Sequence, residues 1–285
     1  MTDNIKVKVG EKSVVVPGLH DYINNDDYHR GPGISKSQLC ILAEKTPQHF
    51  IHEKNHPREP SKSMTIGSAL HCLVLEPEKF EKEYIIRPNF SGKGSVKQKQ
   101  DFAIMCEIQN LTPLSGEDHN KIVCMRDSLM KHPVFKRLVE AGRPEVSGYW
   151  IDKITGELLR IRPDFLPDGM NVCLDLKTAK GAAFTEFSKD AAKYHYHVSH
   201  AMYCDGLYQI TGEYYGFLFA VVESEPPFCT VLYELDHPAR ALGHTIYRRL
   251  LDKYIRAKDD NFKQGYPEDI RILDLPAWAK HQPIV

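Results

Sequence analysis

The apolar positions of this chain change period near residue 145, with helical spacing before it and short strand-like runs after it. The opening residues alternate, Ile5, Val7 and Val9 and then Val14 and Val16 around Gly10-Glu11-Lys12, which predicts a small accessory hairpin within residues 1–19. Asn24 to Asp27 and Gly31-Pro32-Gly33 interrupt the pattern. Ser35-Lys36-Ser37-Gln38 then has capping-box spacing ahead of Leu39, Leu42 and Ala43, so a helix begins near Ser35. Ile66, Leu70, Leu73 and Val74, between Thr65 and Pro77, predict a short helix that carries His71 in partly buried surroundings. Residues 91–100, SGKGSVKQKQ, are polar and basic and read as a mobile loop, while 101–110, 117–131 and 133–141 read as helices.

From Glu145 the runs EVSGYWI, ELLRIRPDF and NVCLDLKT follow one another, separated by Thr155-Gly156 and Pro167-Asp168-Gly169, and a sheet begins. Helical segments near 183–195 and 199–211 precede the strands YYGFLFAVVE and FCTVLYEL, and Asp236 and Pro238 then open a long helix. The order β-β-β-α-α-β-β-α predicts an α/β fold: a central mixed sheet flanked by helices over 145–285, behind a helical part over 33–141. Residues 20–285 then form a single domain.

Composition narrows the function. The 285 residues, 42% hydrophobic and 26% charged, suit a globular unit with a substantial core, and no apolar run reaches the roughly 18 residues of a membrane helix. With 37 basic and 38 acidic residues the net charge is -1, so a polyanionic partner must be held by a local basic groove rather than drawn by a long-range field. Lys93, Lys97 and Lys99 can line one, although a solvated loop is the simpler account of them. Seven cysteines without a close C-x-x-C pair, and an N-terminus without a continuous apolar stretch, predict a reducing, cytoplasmic setting. Fourteen histidines without an H-E-x-x-H pattern leave little room for a zinc hydrolase.

The chemistry concentrates in Arg162-Pro163-Asp164 and Asp175-Leu176-Lys177. Strand geometry puts Asp175 and Lys177 on one face and Leu176 on the other, and strand pairing can bring Asp164 beside Asp175. Two such carboxylates repel unless a hard cation sits between them, and Mg²⁺ or Mn²⁺ suits oxygen ligands. Lys177, its pKa depressed near that cation, would hold or deprotonate a water for in-line attack on a phosphodiester. A turn at Asp164 with an exposed Asp175/Lys177 charge ladder explains the spacing equally well. Cys173, Leu174 and Leu176 favour a buried strand, in which an unpaired carboxylate is costly. Arg160 and Arg162 share a strand face, suited to bidentate phosphate contacts or to structural pairing with Glu157 or Asp164. Ser35, Lys36 and Ser37 can take a phosphate at a helix N-terminus, or simply cap the helix. Tyr247 and Tyr254 have core spacing.

The runs GISKSQL at 33–39, IGSALHCLVLEPEKF at 66–80, YW at 149–150, RPDF at 162–165, LDLKT at 174–178 and YHVSHAMYCDGL at 196–207 resemble, in order, the exonuclease domain of the RecE (exonuclease VIII) family. The resemblance covers residues 20–280. It implies the PD-(D/E)xK, restriction-endonuclease-like core of RecB-like nucleases and a Mg²⁺-dependent 5′-to-3′ exonuclease, for which Mn²⁺ substitutes. Such an enzyme acts on linear double-stranded DNA and leaves 3′ single strands for recombination by annealing. By position it implies Asp164 and Asp175 as metal-binding acids, Lys177 as the catalytic lysine, His71 as a further ligand and the Leu176 backbone carbonyl as the last protein ligand. The helical pattern alone makes His71 a core or surface histidine. Glu145 stands where the family has an acid that could hold a metal-bound water; a strand-end glutamate is otherwise simply solvated. Tyr203 matches the tyrosine of a Gln-x-x-x-Tyr element, but Ser199 stands at the glutamine position, with shorter reach and one donor instead of two. The resemblance further implies a homo-oligomer, a tetrameric ring around double-stranded DNA ends, and a RecT-like single-strand annealing protein as partner. A ring would gather several modest basic patches about one duplex. Two other classes stay open: a PD-(D/E)xK endonuclease, and a nuclease-like DNA-binding scaffold with reduced activity. Cys204 and Cys229 stand too far apart in sequence to suggest an iron–sulfur cluster.

Overall fold

The computed structural model describes residues 7–9, 13–21, 23–57, 59–92 and 94–276. The alternating valines form the antiparallel hairpin β1 (Val7–Val9) and β2 (Ser13–Val15); Ile5 and the turn at 10–12 lie outside the described residues. β3 (Gly18–His20) and α1 (Asn25–Arg30) follow, the latter capped by Asn24, whose side chain accepts from the Asp27 amide. Ser35 and Gln38 close the expected capping box on α2 (Lys36–Glu44), and Pro47 opens α3 (Pro47–Asn55). α4 (Lys62–Leu75) carries His71, as its spacing requires. α5 (Pro77–Glu83), β4 (Tyr84–Ile86), α6 (Ser95–Gln109), β5 (Thr112–Leu114), α7 (Gly116–Lys131) and α8 (Pro133–Leu138) complete the helical half. β4 and β5 pair as a small parallel ribbon.

The basic loop is shorter than its composition suggests. Gly94, at φ 92°, ends it, and SVKQKQ forms the first turns of α6, because good helix formers without a Gly or Pro need no apolar stripe to continue a helix. Lys97 and Lys99 are exposed on that helix; Lys93 lies outside the described residues.

The second half runs β6 (Gly142–Pro144), β7 (Ser147–Ile151), β8 (Leu158–Ile161), β9 (Phe165–Pro167), β10 (Val172–Ala179), α9 (Phe184–Lys193), α10 (Tyr196–Thr211), β11 (Gly216–Glu223), β12 (Thr230–Tyr233) and α11 (His237–Asp259). The run ELLRIRPDF is two strands rather than one. β8 joins β3 and β7 in an antiparallel sheet, whereas β9 belongs to the five-stranded mixed sheet β12-β11-β10-β9-β6. Pro163, which has no amide to offer a ladder, marks the change of sheet. β10 and β11 are parallel and every other pair in the large sheet is antiparallel.

Both faces of the large sheet are covered. Cys173, Phe217 and Phe219 pack against Leu39 and Leu42 of α2, Met202 of α10 and Leu251 of α11. Leu174, Leu176, Ala220 and Val222 pack on the other side against Leu70 of α4 and Ile122 and Met125 of α7. Double coverage explains why β10 and β11 read as apolar runs rather than as alternation. Tyr247 and Tyr254 are buried in the first core, as their spacing implies. Two glycines set how closely the helices approach. A Cβ on Gly206 of α10 would lie 2.7 Å from the Trp150 ring, and one on Gly243 of α11 would lie 2.0 Å from the His197 carbonyl oxygen. No helix among the described residues is long and apolar enough to cross a membrane.

A side-chain tie fastens α11 to the end of β7. Arg248 donates to both Asp152 oxygens at 2.6 and 3.1 Å, and the Thr155 amide and hydroxyl donate to the same carboxylate at 2.9 and 2.6 Å. Burial opposes the Asp152 charge, but the Arg248 and Thr155 hydrogen bonds outweigh it and hold the carboxyl below its usual range. Its contribution to stability is therefore complete above the unfolded value of about 3.9 and is lost as pH falls through the lower folded value. Urea unfolding should find Asp152→Asn less stable than wild type by about 2–3 kcal/mol at pH 7, with the gap narrowing below about pH 4. A gap that is constant with pH would count against this account.

Candidate active site

The register of two strands builds the site. Leu174 of β10 pairs with Phe165 of antiparallel β9, so the next step along both strands sets Asp164 beside Asp175. Asp164 Oδ2 accepts the Leu176 amide at 2.7 Å, which fixes that carboxylate against the middle of β10. Asp175 and Lys177 share a face, as period two demands, and Lys177 Nζ lies 2.6 Å from Asp175 Oδ2. Asp175 is only 4% exposed, which settles the sequence ambiguity in favour of a buried ion pair over an exposed charge ladder.

Burial pushes the Asp175 carboxyl up against the pull of Lys177. Burial also works to lower Lys177, but the charges of Asp175 and Asp164 outweigh it and hold the amine above its usual range. Lys177 Nζ also donates to the Leu176 carbonyl at 3.4 Å.

His71 reaches the same place from α4, with Nδ1 3.5 Å from Asp164 Oδ2. Glu145 arrives from the corner between β6 and β7 at φ 49°, and its amide donates to the Asp164 carbonyl at 3.0 Å. A non-glycine residue in that conformation costs about 1–2 kcal/mol, and the pairing with Asp164 holds it there. One ligand atom from each of His71, Glu145 and Asp164 lies within 4.8 Å of the other two. Burial first, and the Asp164 charge second, push the Glu145 carboxyl up to about 8. A divalent cation among the three would relieve that penalty, and carboxylate oxygens suit Mg²⁺ or Mn²⁺, so the residues fit such an ion. A cleft lined by Ser68, Glu76, Lys79 and Arg162 opens onto the cluster.

The other two ligands expected from the sequence lie alongside these three candidates. Glu145 joins His71 and Asp164 directly, whereas Asp175 stands beside them in its pair with Lys177. Leu176 contributes its amide to Asp164, and its carbonyl accepts from Lys177. Ser199 and Tyr203 lie one turn apart on α10. Ser199 is buried within the packing, and the Tyr203 ring meets Phe217 edge-on at 5.9 Å. Burial pushes the Tyr203 hydroxyl well above the usual phenol range.

Arg160 is taken up by structural carbonyl contacts, which corrects the expectation of a phosphate contact there, and Arg162 is likewise tied to its neighbours while it also lines the cleft beside Glu145. Both are buried, at 2% and 7% exposure. Arg160 donates to the carbonyls of Tyr28, His29, Gly31 and Pro32, and Arg162 donates to Ser147 Oγ and to the Ile23 and Asn24 carbonyls. Neither guanidinium bonds Glu157 or Asp164; Arg162 instead lies 4.0 Å from Glu145. The two guanidiniums stand 4.9 and 4.2 Å from the Tyr28 ring, so they do share a face, but α1 and its flanks cover it. Strand alternation reveals a shared face and cannot reveal what covers it.

At α2 the capping account holds. The Ser35 oxygen takes the Gln38 amide, which a phosphate would otherwise need, and Ser37 is exposed. Lys36 reaches away from its own helix end to the Tyr194 carbonyl at 2.7 Å. Sequence reasoning did not single out Tyr196, which opens the run YHVSHAMYCDGL and whose ring lies 5.5 Å from Lys177 Nζ.

Because Arg160 serves carbonyls in several directions, Arg160→Lys should lower stability by about 2–4 kcal/mol, as read from thermal unfolding.

Residues 35–276 match the PDDEXK-like domain of unknown function (DUF3799). No curated protein matches the sequence. Among solved structures the chain is similar to a "Putative exonuclease" from Eubacterium rectale, with a TM-score of 0.56 and 15% identity over 86% of this chain and 90% of that one. It also matches an alkaline exonuclease from Laribacter hongkongensis, with 14% identity over 60% of this chain and 88% of that one, but at a TM-score of 0.24 that likeness carries no argument. A mixed sheet covered by helices, acids on adjoining strands and a family match over most of the sequence agree with the RecE-like resemblance, and the chain belongs to the PDDEXK-like DUF3799 family, with the PD-(D/E)xK nuclease fold.

Proposed function

We propose that the protein is a divalent-metal-dependent exodeoxyribonuclease that acts on the ends of linear double-stranded DNA. The observation that carries this reading is the convergence of His71, Glu145 and Asp164 next to the buried Asp175–Lys177 pair. A bound Mg²⁺ or Mn²⁺ supplies Lewis-acid polarisation of the phosphate and a water of lowered pKa. The protein's own part is positional and electrostatic. The Leu176 amide locks Asp164, and the Glu145 amide ties the strand corner to the Asp164 carbonyl. Asp175 keeps Lys177 charged and aimed, so that its N–H groups can hold the attacking water or a non-bridging phosphate oxygen as negative charge grows there. Burial strengthens each of these contacts by excluding water.

The name borne by the Eubacterium rectale fold relative supports an exonuclease over an endonuclease. Resemblance to the RecE family supports the finer assignment: Mg²⁺ as the working ion, 5′-to-3′ resection by one catalytic domain over residues 20–285, and 3′ single strands passed to a RecT-like annealing protein in the cytoplasm. The same resemblance supports a tetrameric ring.

End-labelled linear duplex and closed circular DNA, incubated together with Mg²⁺ or with EDTA, test the reading. Linear DNA alone should disappear, and only with the metal; Lys177→Ala should lower kcat about 10²–10³-fold while Mn²⁺ affinity stays near wild type, and Asp175→Ala should abolish cleavage. Loss of the circle would indicate an endonuclease. Well-folded wild-type protein that cuts neither DNA would turn the assignment to a DNA-binding scaffold.

A further inference from the structure

A row of alternating cations and aromatic rings leads from Lys177 to the surface. Lys177 Nζ lies 5.5 Å from the Tyr196 ring centroid, and Lys36 Nζ lies 5.8 Å from the same ring. Tyr196 is 5.9 Å from the ring of Tyr194, over which Lys193 Nζ stands at 5.0 Å. Inward the row ends in the core, where Tyr196 stacks on Phe219 at 5.6 Å. Outward it ends in Tyr194, which is 48% exposed, and Lys193, which is also exposed.

The corner that carries Tyr194 is held in place. His195 turns the chain at φ 54° between α9 and α10. Lys36 donates to the Tyr194 carbonyl at 2.7 Å, and His195 Nε2 lies 3.3 Å from Glu44 Oε1, so α2 grips the corner at both ends. The core does not need the Tyr194 ring, because Phe187, Tyr196 and Phe219 already close that face of the sheet. An aromatic ring held half in water, beside lysines and two ring contacts from the ammonium at the reaction centre, has the properties of a stacking surface for nucleic acid.

We propose that Tyr194 is the platform on which a base of the strand being cut stacks, with Lys193 meeting that strand's backbone phosphate. The inference rests on the nuclease reading and extends it to how the strand is gripped. Stacking accepts any base, so the platform gives purchase without sequence preference. It also supplies a local basic strip on a molecule whose net charge is -1.

Anisotropy of a fluorescent single-stranded oligonucleotide, measured in EDTA so that nothing is cut, tests this. Tyr194→Ala should weaken binding by about 5- to 100-fold, and Tyr194→Phe should bind as wild type does. The slope of log affinity against log salt should not change in Tyr194→Ala, since stacking releases no counterions, but should fall by about 0.7 in Lys193→Ala. Tyr214→Ala is the control. It removes another exposed tyrosine, stacked at 4.6 Å on Tyr208, which is itself roughly 18 Å along α10 from Tyr196, and should bind normally. In the cleavage assay Tyr194→Ala should raise KM and leave kcat at saturating DNA near wild type. Wild-type affinity in Tyr194→Ala, or a Tyr194→Phe as weak as the alanine variant, would overturn the stacking role. Failure of the wild type itself to bind would likewise overturn the stacking grip, while the nuclease reading stands or falls separately by the cleavage of linear duplex DNA.

Discussion

One hydrogen bond organises the site: the carboxylate of Asp164 takes the amide of Leu176, on the neighbouring strand. That bond exists only because β9 and β10 run antiparallel with Phe165 opposite Leu174. A slip of one residue would turn Asp175 and Lys177 into the core occupied by Leu174 and Leu176, where neither charge would find a partner. The apolar residues on both faces of β10 thus protect the register, and the register places the chemistry. His71 and Glu145, from elements far apart in sequence, then converge on a carboxylate whose position is already settled.

Much of this was legible in the chain. Capping chemistry located α2, helical spacing put His71 on α4, and period two set Asp175 and Lys177 on a common face. Each is a local property, fixed by neighbours in sequence. What escaped depends on contacts between distant segments. The environment of Arg160 and Arg162 is set by the carbonyls near residues 23–32, which no strand pattern can announce. Glu145, set near the site by resemblance alone, gains its place from a left-handed backbone turn and a bond to Asp164. The first turns of α6 escaped for the opposite reason: a helix rich in Lys and Gln has no apolar stripe by which to be recognised.

The near-zero net charge takes on a different meaning in the folded chain. Several cations are internal: Arg160 and Arg162 hold α1 against the small sheet, Arg248 fastens α11, and Lys177 neutralises Asp175. Counting charges along the sequence therefore overstates the positive charge that faces solvent. Near the site, Lys79 lines the cleft and Lys36 and Lys193 stand at the corner between α9 and α10, and locality rather than total charge governs what such a surface attracts.

β9 has three residues and β10 has eight, and beyond the Leu174–Phe165 pair Asp164 meets β10 through its side chain rather than through a strand ladder. A strand stretch without a ladder partner leaves amides and carbonyls to be satisfied in other ways. Here the Asp164 carboxylate occupies the Leu176 amide, and Asp175 and Lys177 place charge along the same stretch of strand. One side chain of the candidate site thereby also completes the hydrogen bonding of the sheet, so a change at Asp164 would disturb both the cluster and the strand beside it.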